Sequence, residues 1–133
     1  MTLTASTVEA LRELQQTCGD TAASKGFHDD RRDLAGPALA SWQGNKLLLI
    51  VSEVIEAHDE IRNGKPATKT YYPTSVGVDT GAPHKPEGVP SEIADAVIRC
   101  FDFAYTEGFD LAGIIAEKLI YNASRERLHG KKF

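Results

Sequence analysis

The sequence predicts an all-α fold, a four-helix-type bundle with a long proline- and glycine-rich arm between the second and third helices. Three observations carry this reading. Apolar residues recur at helical spacing in four separate stretches. Capping and stop residues bracket those stretches. Five of the six prolines, Pro66, Pro73, Pro83, Pro86 and Pro90, fall in one interval, 64–90, through which no helix can run.

Helix one opens on a capping box from Ser6 to Glu9, ahead of Val8, Leu11 and Leu14 on one stripe, and is expected to end near Cys18-Gly19. Lys25 to Ser41, with Gly26, His28, Asp29, Asp30, Gly36 and Pro37, reads as loop. From about Asn45 to Arg62, Leu47, Leu48, Val51, Val54, Ile55 and Ile61 repeat with helical period as the apolar stripe of helix two, and Asn63-Gly64 supplies the stop. Within the arm, Thr68 to Tyr72 and Ser75 to Val78 are rich in β-branched and aromatic residues and suggest a small hairpin. Helix three covers about Ser91 to Glu107, with Ile93, Val97, Cys100, Phe101 and Ala104 as its buried stripe, and Gly108 ends it. Asp110 then caps helix four, which is expected to reach about Arg127, its stripe passing from Leu111, Ile114 and Ile115 into Lys118 and Asn122.

A chain of 133 residues fits one domain, 1–133, and is small enough for extra burial through self-association to help it; a homo-oligomer, dimer or tetramer, is expected. The net charge of -4 and a pI near 5.5 argue against stable, non-specific nucleic-acid binding, which rests on an excess of Lys and Arg. Cys18 and Cys100 stand far apart without C-x-x-C spacing, so neither a zinc knuckle nor a disulfide framework is indicated, and a reducing cytoplasm is the expected setting. The longest apolar run, Leu47 to Val51, is too short to cross a bilayer, and no basic region followed by an apolar stretch opens the chain. Neither a membrane partner nor export is expected.

Two acidic couplets are the main chemical signal: Glu53-x-x-Glu56 on helix two and Glu92-x-x-Asp95 on helix three. Residues three apart project from one helix face, so each couplet can offer two oxygens to one cation, and two such helices side by side suit a hard ion, Mg2+ or Mn2+. Any surface helix also shows carboxylates opposite its apolar stripe, and each couplet taken singly is better explained that way. The combination with helix four favours a site. There Lys118 and Asn122 occupy the phase of the apolar stripe, where polar groups need partners, and with Arg125 they could hold phosphates. Other motifs add less. No P-loop or H-E-x-x-H spacing is present, and His28-Asp29 and His58-Asp59 each spell the dipeptide of HD metal phosphohydrolases without that site's additional histidines. Trp42 and Phe27 could stack on a base or fill the core.

Three segments together resemble the MazG-like all-α nucleoside triphosphate pyrophosphohydrolases. They are Leu49-Ile50-Val51-Ser52-Glu53-Val54-Ile55-Glu56-Ala57, then Lys85-Pro86-Glu87-Gly88-Val89-Pro90-Ser91-Glu92-Ile93-Ala94-Asp95-Ala96-Val97-Ile98-Arg99, and then Lys118-Leu119-Ile120-Tyr121-Asn122-Ala123-Ser124-Arg125 with His129-Gly130-Lys131-Lys132. The resemblance covers Asn45 to Phe133. It implies a helical bundle whose couplets bind Mg2+ and which cleaves a nucleoside triphosphate to the monophosphate and pyrophosphate. Carried over, Glu53, Glu56, Glu92 and Asp95 become metal ligands, and Lys118, Asn122 and Arg125 become phosphate contacts. The segment between Glu56 and Glu92 is longer than in compact members of the family.

That chemistry fits the residue types. Cleavage between the α- and β-phosphates needs neutralised charge and an activated water, which metal ions supply, and either Glu53 or Glu56 could take the water's proton. Lys118 as a point charge and Arg125 as a fork would brace the phosphate oxygens. The competing reading is a non-catalytic helical module that binds nucleotide or a protein partner, its acidic faces serving solubility alone. Dependence on a divalent cation separates the two.

Overall fold

The computed structural model describes residues 2–73, 81 and 83–132, and among them the fold is all-α. Four α-helices follow one another: α1 (Ala5–Ser24), α2 (Gly36–Arg62), α3 (Val89–Glu107) and α4 (Leu111–Ser124), with short 3-10 turns at Asp29–Arg31 and Arg127–Gly130. The chain divides into two compact units, Met1–Asp29 with Phe101–Phe133, and Asp30–Cys100. No helix among the described residues is long and apolar enough to cross a membrane.

In the first unit α1 starts one turn earlier than its apolar stripe requires, because Thr4 caps it: the Thr4 hydroxyl oxygen accepts the Thr7 N–H at 3.1 Å. The capping box expected at Ser6 is not used. Nor does α1 stop at Gly19. A Cβ at that position would fall on the Tyr105 ring, so this glycine permits close approach rather than ending the helix. α4 begins as expected, with the Asp110 carboxylate accepting the Gly113 N–H at 3.1 Å, but it ends at Ser124. The Arg12 guanidinium clasps Asp110 at 2.7 Å and Gln15 donates to the Phe109 carbonyl at 2.9 Å, which ties α1 to the start of α4. The buried side chains of this unit are Cys18, Phe101, Ala104 and Ala112.

The second unit differs most from the sequence expectation. α2 is longer than expected and begins at Gly36, inside the stretch read as loop, because Pro37 sits in its first turn, where a missing N–H and a fixed φ suit a helix start. Its orientation is also inverted. Leu47, Leu48, Val51, Val54, Ile55 and Ile61 are 49 to 66% exposed, while Glu53 and Ala57 on the opposite face are buried. The part of α3 in this unit shows a milder version of the same effect: Ile93 and Val97 are exposed, and Glu92 and Ala96 are buried.

Between α2 and α3 the described residues contain no helix. Tyr71 and Glu87 form an isolated antiparallel bridge, with N–H to carbonyl distances of 3.1 and 2.9 Å. The expected strand over Thr68 to Tyr72 is reduced to that one bridge residue, and Ser75 to Val78 lie outside the described residues. Gly88 follows the bridge with φ +105°, and a Cβ there would strike the Lys69 carbonyl oxygen. The Ser91 hydroxyl donates to the Pro86 carbonyl at 2.9 Å. These contacts fix where α3 starts, and with it Glu92 in the first turn.

Candidate metal centre

Glu53, Glu56 and Glu92 converge in the second unit, each offering a carboxylate oxygen within 4.8 Å of the others. Among the described residues this is the one group of three or more His, Cys, Asp or Glu side chains close enough to share an ion. Glu53 is 6% exposed and Glu92 7%, whereas Glu56 opens to solvent. Asp95, the fourth carboxylate of the two couplets, is half-buried and stands outside the convergent set.

Burial has an electrostatic consequence. Removing a carboxylate from water favours its neutral form, and this lifts the Glu92 pKa to about 7, helped by a hydrogen bond shared with Glu53 and by the charges of Glu56, Glu53 and Asp95. Glu53 has a cation of its own: the Arg99 Nε–H donates to its Oε1 at 2.6 Å. Two turns further along α2, Glu60 accepts the Tyr71 hydroxyl through both oxygens, at 2.9 and 3.1 Å, so the residue that bridges to Glu87 is also tied to α2. Lys85 pairs with Glu87 at 2.7 Å.

Lys118, Asn122 and Arg125 belong to the first unit and all three are exposed. The expectation that Lys118 and Asn122 occupy a buried phase is wrong, because α4 buries Ala112 and leaves Ile114, Leu119, Ile120 and Tyr121 42 to 56% exposed. Solvent satisfies their polar groups. Lys118 and Arg125 flank the Tyr121 ring, their charged groups 5.6 and 5.7 Å from its centroid.

The histidines behave otherwise than their neighbours in sequence suggest. His28 Nε2 lies 2.7 Å from Asp102 Oδ1 and 3.1 Å from the Thr106 hydroxyl, and its ring stacks on Tyr105. Its partners are thus on α3, which no local motif could indicate. The His58 side chain is 67% exposed, 4.0 Å from Asp59. Half-buried Trp42 donates its ring N–H to Asp30 at 3.1 Å, and the Lys46 ammonium lies 4.9 Å from the ring centroid.

Arg99 closes the second of the three segments that carry the resemblance, and no role was expected of it. The available signal was its spacing, seven residues after Glu92 on the same helix face. Comparison with protein-family models, with curated proteins and with solved structures finds no match.

Proposed function

We propose that this chain is a metal-dependent nucleotide pyrophosphohydrolase of the MazG-like kind, cleaving a nucleoside or deoxynucleoside triphosphate to the monophosphate and pyrophosphate and so removing unwanted nucleotides from the cytoplasmic pool. The observation that supports it is the burial of two glutamates at one point with a third in reach. Burying a carboxylate costs several kcal/mol unless a cation compensates. Arg99 supplies one positive charge against three carboxyl groups, and a divalent ion would complete the balance. The donors fit such an ion: all are hard carboxylate oxygens, as Mg2+ and Mn2+ prefer, with no thiol or imidazole among them.

Glu53, Glu56 and Glu92 would hold the metal, with Asp95 as the fourth ligand that the resemblance implies. When bound, the ion supplies neutralising charge and lowers the pKa of water. Glu53 is engaged by Arg99 and shielded from solvent, whereas Glu56 faces water; Glu56 is therefore the better placed of the two to accept the proton of the attacking water. Lys118, Asn122 and Arg125 face solvent and are open to an anion, in keeping with the phosphate role that the resemblance gives them.

Self-association belongs to the same reading. On α2 the six apolar side chains Leu47, Leu48, Val51, Val54, Ile55 and Ile61 are 49 to 66% exposed, and apolar surface of this kind is favourable to cover. The apolar stripe of α2 is where a second copy would dock.

The test is pyrophosphate release from a panel of nucleoside triphosphates with Mg2+ or EDTA. Turnover should require the metal and vanish in Glu53→Gln and Asp95→Asn proteins that retain their helical signal. Metal-independent turnover, or near-normal activity in those variants, would refute the assignment; no turnover in any case would favour the non-catalytic binding module.

A further inference from the structure

Resting on the metal-site reading, we infer that Arg99 is a phosphate-contacting residue of the carboxylate centre: its Nε–H orients Glu53, and its two outer amino groups receive an oxyanion of the ligand. A guanidinium carries five N–H donors in a rigid fork. Arg99 commits one of them, Nε–H, to Glu53 Oε1 at 2.6 Å. Among the described residues the one side-chain hydrogen bond found for this guanidinium is that of Nε, and none is found from Nη1 or Nη2.

The pair is asymmetric in a way that neutralisation alone does not require. The Glu53 side chain is 8% exposed and that of Arg99 42%, so the carboxylate is enclosed while the fork reaches solvent. A guanidinium serving only to balance a buried carboxylate gains most from a bidentate grip, two parallel N–H bonds to the two oxygens. Here the contact is through Nε alone. This leaves Glu53 Oε2 without an arginine hydrogen bond and the paired amino groups free of one beside the three carboxylates. Lys85, which feels the charges of Glu92 and Asp95, already has its ammonium on Glu87 at 2.7 Å.

The ligand class follows from the charges. A divalent ion held by three carboxylates leaves a net charge of about -1, which does not attract a polyphosphate. The Arg99 charge brings that sum to neutral, and its two outer amino groups match phosphate oxygens in geometry. Arg99 thereby links a metal-holding carboxylate to the ligand's phosphate chain, so that binding of one orients the other.

The test compares wild type with Arg99→Gln and Arg99→Lys. Glutamine can still donate one amide N–H to Glu53 but loses the charge and the outer pair; lysine keeps the charge on a single ammonium. Two quantities are read: Mn2+ affinity by calorimetry without nucleotide, and KM and kcat for a triphosphate that wild type cleaves. Arg99→Gln should hold Mn2+ within about threefold of wild type while KM rises at least tenfold, and Arg99→Lys should recover part of that loss. A KM within twofold of wild type in both folded variants would overturn the inference, as would a parallel fall in Mn2+ affinity and thermal stability with KM unmoved, the mark of a purely structural pair. Failure of the metal-site reading shows separately, in wild type that takes up no Mn2+, and the inference then falls with it.

Discussion

Replacing Glu92 with glutamine should stabilise the metal-free protein at neutral pH even though it removes a proposed ligand. Glu92 is 7% exposed, and burial, the hydrogen bond with Glu53 and the neighbouring charges raise its pKa from 4.5 to about 7. At about 1.4 kcal/mol per pH unit, this corresponds to roughly 3 kcal/mol between the two protonation states. The folded protein holds this proton more tightly than the unfolded chain does. The associated stability is therefore complete below about pH 4.5, declines as pH rises from there to about 7, and is lost above that. Glutamine keeps the shape and cannot ionise. In EDTA, the unfolding free energy of Glu92→Gln relative to wild type should thus rise by about 3 kcal/mol between pH 4.5 and 8, measured by urea denaturation with the slope unchanged. Parallel pH profiles for the two proteins would refute the reasoning, because they would mean that Glu92 ionises in the folded state as freely as in water.

Other outcomes follow from the same geometry. Adding Mg2+ or Mn2+ at pH 8 should raise the melting temperature of wild type and have little effect on Glu92→Gln, since an ion that binds only the folded state stabilises it in proportion to its affinity. Val54→Asp places a charge at the centre of the α2 stripe, where Val54 is 50% exposed; sedimentation should show a smaller species with helical content retained, and an unchanged mass would remove the stripe from the interface. Gly19→Ala drives a methyl into the Tyr105 ring, which should destabilise by about 1 to 3 kcal/mol in urea unfolding.

The helices were legible because each carries several turns of periodic apolar residues, and their ends were less so. Gly36-Pro37 reads as a break, yet proline in the first turn starts a helix. Gly19 reads as a stop, yet it makes room for a ring from α3. Periodicity reports which residues share a face and not which face turns inward. That is why α2 could be found correctly and still expose Leu48 and Ile55 while burying Glu53. Three of the four carboxylates were recoverable because helical spacing is local: Glu53 and Glu56 lie on one turn, and Glu92 is in the first turn of α3. Asp95 shares that spacing without joining the set. Partners distant in sequence were not recoverable; Arg99 meets Glu53 across 46 residues and His28 meets Asp102 across 74. Lys118 and Asn122 were given a buried phase that α4 does not have, because its small residue Ala112 is buried while Ile114 is exposed.

The most direct test of the central claim is phosphorus NMR of the products formed when purified protein meets a nucleoside triphosphate in Mg2+. Resonances of the monophosphate and of pyrophosphate should appear in equal amounts, and neither when EDTA is present. Formation of nucleoside diphosphate with orthophosphate would place the cleavage at the wrong phosphoanhydride. Unchanged triphosphate across a full panel of bases and sugars would contradict the catalytic reading and leave Glu53, Glu56 and Glu92 as a buried acidic cluster with a role other than hydrolysis.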